Sequence, residues 1–108
     1  MAIDFSKVVT AEQKAAHALA AAMAEYSSAI QSHLEAKAYE RNYDSIQSAI
    51  SYRDDPNEQF AAEAAALFTW RSAVWTYATA ELEKVTAGER TQPTVAELIA
   101  ELPAFVWP

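Results

Sequence analysis

Cysteine is absent, glycine occurs once and proline four times in the 108 residues. Without cysteine there is no disulfide framework, no thiolate zinc site, no iron–sulfur cluster and no cysteine nucleophile. A single glycine, Gly88, cannot build a glycine-rich phosphate loop, and so few turn formers cannot serve a many-stranded sheet. Positive charge is also scarce: eight Lys and Arg stand against fifteen Asp and Glu, giving a formal charge of -7. Such a surface repels the phosphate backbone that supplies most non-specific nucleic-acid affinity, so DNA and RNA are excluded as expected partners. Long apolar runs are missing as well. The alanine-rich run Ala15 to Ala24 is short and carries His17, and Met1 to Val9 holds Asp4 and Lys7 instead of a signal-type apolar stretch, so neither export nor membrane insertion is expected.

What is present is helical. Alanine is abundant, and just over half of the residues are hydrophobic, so the acidity belongs to a folded surface and not to a disordered chain. Thr10 followed by Gln13 three residues later is a capping box that opens a first helix, expected at about Ala11 to Tyr39. Asn42, Tyr43 and Asp44 make a break, with Asp44 or Asn42 expected to cap a short helix at about Ser45 to Tyr52. Arg53 to Asn57 reads as a loop around Pro56, with Asn57 capping a third helix that runs to about Ala87. Gly88 supplies a left-handed stop, Thr94 and Glu97 form a second capping box, and Pro103 ends the short helix they open. Ala104 to Pro108 remain as an apolar tail. The expected fold is therefore one all-α domain over residues 1–108: a long antiparallel helical hairpin with two short helices packed on the third, and an apolar C-terminal tail.

Helical periodicity divides the faces unequally. Leu19, Met23, Tyr26, Ile30 and Leu34 share an arc of roughly 80°, a seam for one main neighbour. On the third helix Phe60, Leu67, Phe68, Trp70, Val74, Trp75, Tyr77, Leu82 and Val85 cover roughly half the circumference. A narrow seam cannot cover so broad a face, so self-association is expected, as a dimer first and a trimer next.

Candidate chemistry is thin. His17 and His33 lie sixteen residues apart, hence about 160° apart around one helix, and cannot meet at one metal. A calcium loop beginning at Asp55 would need glycine where Phe60 stands and glutamate where Ala66 stands. Glu25, Glu35, Glu63 and Glu81 read as the solvated side of amphipathic helices before they read as an acid/base pair. No catalytic residue, metal ligand or cofactor site is expected. The informative side chains are anchors of a core or an interface: Phe68, Trp70, Arg71, Trp75, Tyr77 and Trp107. Arg71 is singular because it projects from near the middle of the apolar arc and needs an acceptor, for which Asp44, Asp55 and Glu25 are the candidates.

Several segments carry a further likeness: Ile3-Asp4-Phe5-Ser6-Lys7-Val8-Val9-Thr10-Ala11-Glu12-Gln13-Lys14, then Tyr43-Asp44-Ser45-Ile46, Ser51-Tyr52, Phe60-Ala61-Ala62-Glu63-Ala64, Trp70-Arg71-Ser72-Ala73-Val74-Trp75, and the ending Leu102 to Pro108. Together they resemble small proteins, and C-terminal segments of larger ones, encoded among phage and prophage tail genes, including tail-fibre accessory and assembly proteins. The resemblance spans nearly the whole chain and implies a tail-associated structural or assembly role, cytoplasmic in the producing cell or carried on the virion, with a tail component as partner. It supplies no catalytic motif. The other expectation is a cytoplasmic helical adaptor or regulator that binds a protein without entering a particle.

Overall fold

The computed structural model describes residues 10–108; the opening segment on which part of the tail-protein likeness rests lies outside them. The fold is all-α, with helices α1 (Ala11–Tyr39), α2 (Ile46–Ile50), α3 (Glu58–Thr86) and α4 (Val95–Glu101). Thr10 opens α1 through a complete capping box: its hydroxyl accepts the Gln13 N–H while the Gln13 side chain accepts the Thr10 N–H. Thr94 and Glu97 open α4 in the same reciprocal way. Asn57 caps α3 by accepting the N–H groups of Gln59 and Phe60. Each cap satisfies donors that the first turn of a helix leaves without partners.

The second helix departs from expectation. Its cap is Ser45, whose hydroxyl accepts the Ser48 N–H, and not Asp44 or Asn42. Asn42 instead takes φ 65° at the turn leaving α1, a left-handed conformation that asparagine tolerates better than most residues. The helix tightens after Ile50 into a 3₁₀ turn, Ser51–Asp54, so Arg53 and Asp54 belong to that turn. α3 stops one residue earlier than anticipated, with Ala87 as its C-cap. Gly88, at φ 78°, donates to the Val85 carbonyl, and Glu89 donates to the Lys84 carbonyl. These two reversed bonds form a Schellman closure around a left-handed glycine.

α1 and α3 run antiparallel: His33 packs tilted against Trp70, Arg41 just past α1 pairs with Glu63, and Met23 shares a groove with Leu82. One core joins Tyr26, Ile30, Leu34 and Ala38 of α1 to Ile46, Ala49 and Ile50, to Leu67, Trp70, Val74 and Ala78 of α3, and to Leu98 and Leu102. The α1 seam is thus buried from Tyr26 onward, at four-residue spacing, while Met23 is only partly covered. α2 and the 3₁₀ turn pack on α3 as expected, but α4 lies along α1, because Tyr26 donates its hydroxyl to the Pro93 carbonyl and holds the entry to α4 there. α4 touches α3 through the Tyr77 hydroxyl, which donates to Glu101 at 2.7 Å.

Candidate functional site

Two surfaces concentrate the candidate residues, and each arises from how one flank of α3 is covered. On the first flank the C-terminal tail folds over Trp70. The Trp70 indole N–H donates to the Pro103 carbonyl at 2.7 Å, Phe105 packs on the Trp70 ring at 5.0 Å, and Trp107 stands edge-on to Phe105 at 4.9 Å. The guanidinium of Arg41 lies 4.8 Å over the Trp107 ring, and the Trp107 indole N–H donates to Glu40 at 3.3 Å. Lys37 first, and Trp107 second, hold the Glu40 carboxyl below its ordinary range by stabilising its charged form. Trp70, Phe105 and Trp107 are therefore successive members of one aromatic row closed by a cation.

Beneath that row sits Glu63, buried to 3% exposure. Arg41 donates to its Oε2 at 2.8 Å and the Tyr43 hydroxyl to its Oε1 at 2.9 Å. Burial, and then the bond to Glu63, push the Tyr43 phenol up to about 12, because both disfavour a phenolate. This residue was read from sequence as part of a solvated face. The missed signal is its spacing, four residues before Leu67 and seven before Trp70, which places it on the apolar arc. His33, tilted against Trp70 at 5.6 Å, has its pKa lowered by burial and by Lys37; it is half-buried packing, far along α1 from exposed His17.

On the opposite flank α2 and the 3₁₀ turn cover only the first half of α3. Phe68 ends that covered half, 44% exposed, with the Arg53 guanidinium 4.1 Å over its ring. Beyond it the flank is open. Met23 and Ser27 of α1 face Trp75, Thr79, Leu82 and Thr86 of α3 across a groove of about 410 Å³. Its walls are mostly apolar surface edged by the hydroxyls of Ser27, Thr79 and Thr86, with Glu83 the one charged group lining it. Trp75 is half-buried there, while Tyr77 points to the α4 side.

Arg71 stands between the two halves of this flank, one turn after Phe68 and one before Trp75. Its Nε is buried without a hydrogen-bond partner. Among the described residues it forms no ion pair with Asp44, Asp55 or Glu25, so the expected internal acid is not supplied: Asp55 is engaged with the Asn57 N–H. The remaining charges form a separate strap outside the apolar surfaces. Arg90 joins Glu81 to Glu101, and Lys84 also pairs with Glu81.

This arrangement can pack and dock. Among the described residues no group of three or more His, Asp or Glu side chains could hold a metal ion, and no helix is long and apolar enough to cross a membrane. No protein-family model, curated protein or solved structure matches the chain.

Proposed function

We propose that this chain is a phage- or prophage-tail-associated structural or assembly protein that works by docking its helical faces on another copy of itself and on a tail component. The observation that carries the docking half is the open flank of α3, where Trp75, Leu82 and Met23 line an apolar groove between two long helices. A concave apolar strip of that kind accepts an amphipathic helix by burying its nonpolar side chains. The tail context rests on the likeness carried by segments such as Trp70 to Trp75 and Leu102 to Pro108. The acidic surface supports the choice of a protein over a nucleic acid.

Tagged protein in phage-producing cells tests both halves. Density-gradient-purified particles, or tail intermediates from the same lysate, are analysed by mass spectrometry. The expected result is co-sedimentation with a tail-fibre or baseplate component, lost when Trp75→Glu fills the groove with charge. Absence from particles and intermediates, with a host or early phage protein recovered in their place, would establish the adaptor reading.

A further inference from the structure

Among the described residues, little packs on the first three turns of α1. Residues 11–18 and Ala20–Ala21 are exposed on every side, and Leu19 is only half-covered. Yet the seam continues through them. Glu12, Ala16, Leu19 and Met23 are spaced four, three and four apart, so they share a face within about 60°. The same 3–4 spacing leads on to Tyr26, Ile30 and Leu34, which are buried. Glu12 and Ala16 of this stripe are exposed and Leu19 is only partly covered, and the arm springs from the edge of the open groove.

We infer that two copies of this chain exchange these arms, each Ala11–Ala21 segment lying antiparallel in the other copy's Met23–Trp75–Leu82 groove with Glu12 reaching the unpaired Arg71. This rests on the docking reading above and names the occupant of its groove. Side-chain size and charge favour one register. A two-fold axis that sets Leu19 of one copy beside Met23 of the other also sets Met23 beside Leu19, as an isologous contact requires. The same register brings Ala16 beside Tyr26, one residue from the groove-lining Ser27, where a small side chain lets a helix approach closely. It brings Glu12 beside Ile30. Trp70 lies against His33, so Arg71 is level with the turn that follows Ile30, about 4–5 Å further along the helix axis and within reach of two long side chains.

Charge selects this occupant. The arm presents Glu12 on its packing stripe, and Arg71, one turn before the groove-lining Trp75, is only partly buried and has no ion pair among the described residues. Among the described residues no acid pairs with Arg71, so a carboxylate brought by a second copy has a cation to meet there. The arm is also short for independent stability, since isolated helices under roughly 12–15 residues are marginal in water, and the groove would supply the packing that it lacks.

Because the arm is solvated in a single copy, substitutions on it test the contact without unfolding the body. Light scattering coupled to size exclusion, run from about 1 to 100 micromolar, is expected to show wild type at twice the 11.9 kDa chain mass. Ala16→Lys is expected to yield a monomer with an unchanged helical spectrum, and Glu12→Gln to weaken the dimer by about tenfold or more. The native chain has no cysteine, so mixing Leu19→Cys with Met23→Cys protein under mild oxidation is expected to give the mixed disulfide in preference to either homodisulfide. A wild-type mass of one chain throughout the range overturns the exchange, while leaving docking on a tail component to stand or fall on particle analysis. A dimer that survives Ala16→Lys and gives no mixed disulfide overturns it too, and moves self-association to another face.

Discussion

Glu63 and Arg71 both lie within the apolar arc of α3, and they meet opposite fates. Glu63 is fully satisfied by Arg41 and Tyr43, whereas Arg71 keeps an unsatisfied buried N–H. The consequences of substitution differ accordingly. The Arg41 side chain is 40% exposed and that of Glu63 only 4%, so removing Arg41 strands a buried carboxylate while removing the carboxylate releases a guanidinium to water. Arg41→Ala is expected to cost about 2–3 kcal/mol, and Glu63→Gln, which still accepts from Tyr43, about 1 kcal/mol. Urea titration of the two variants checks the order; equal midpoints would show that Tyr43 alone holds the carboxylate. Arg71→Leu has the opposite sign. It deletes an unpaired buried donor and leaves no acid stranded, so a single copy should be as stable as wild type or more stable by up to about 1 kcal/mol. A loss of several kcal/mol in dilute urea titrations would mean that the guanidinium has an acceptor inside the fold. Spacing alone could place Arg71 on the arc; it could not say whether an acid lay opposite, because that depends on how α2 and the 3₁₀ turn lie across α3.

At the scale of elements, most boundaries were legible because they are written in local chemistry. The capping boxes at Thr10 and Thr94, the Asn57 cap and the Gly88 stop each act within four residues of themselves. The less legible elements are those decided by tertiary packing. Ser45 takes the cap of α2 from Asp44, and the helix tightens to 3₁₀ geometry where Tyr52 turns to meet Tyr43 and Phe60. α4 packs on α1 because of a tyrosine hydroxyl sixty-seven residues from its acceptor, a relation no local window contains. Gly88→Ala isolates the local part. A methyl group there meets nothing within 4 Å, so its cost is the left-handed backbone alone, about 1 kcal/mol; a thermal melt unchanged from wild type would show that the turn reshapes freely. The strap that follows Gly88 gives a pH signature. Lys84 and Arg90 lower the Glu81 carboxyl, and Arg90 with Tyr77 lowers that of Glu101, both from an ordinary 4.5. Carboxyls that titrate lower when folded stabilise the fold fully above the unfolded value and lose that contribution as acid protonates them. Wild type should therefore lose stability below about pH 5 more steeply than Arg90→Gln, and parallel profiles would remove the strap from the account.

The whole molecule is unevenly knit, and that unevenness is its most physical clue. From Tyr26 onward α1 is buried at every fourth residue against α3, α2 and α4, and the tail closes the far side through Trp70, Phe105 and Trp107. Before Met23 the same helix, with the same seam, is mostly exposed among the described residues, with Leu19 and Ala22 alone partly covered. A protein whose sole task was to fold would gain little from three turns of helix carried beyond its core, since backbone ordering costs about 1–2 kcal/mol per residue and exposed alanine offsets little of it. Opening free energies follow burial, so amide hydrogen exchange should divide α1 in two. In dilute solution the amides of residues 26–38 are expected to exchange near the rate set by global unfolding, together with those of residues 64–78 of α3. The amides of residues 11–21 should exchange orders of magnitude faster, through local fraying that leaves the body intact. Raising the protein concentration through the range of self-association should slow the arm and leave the body unchanged. Uniform protection along α1 at the lowest concentration would show that the arm needs no neighbour, and fast exchange of the arm at every concentration would show that it never finds one.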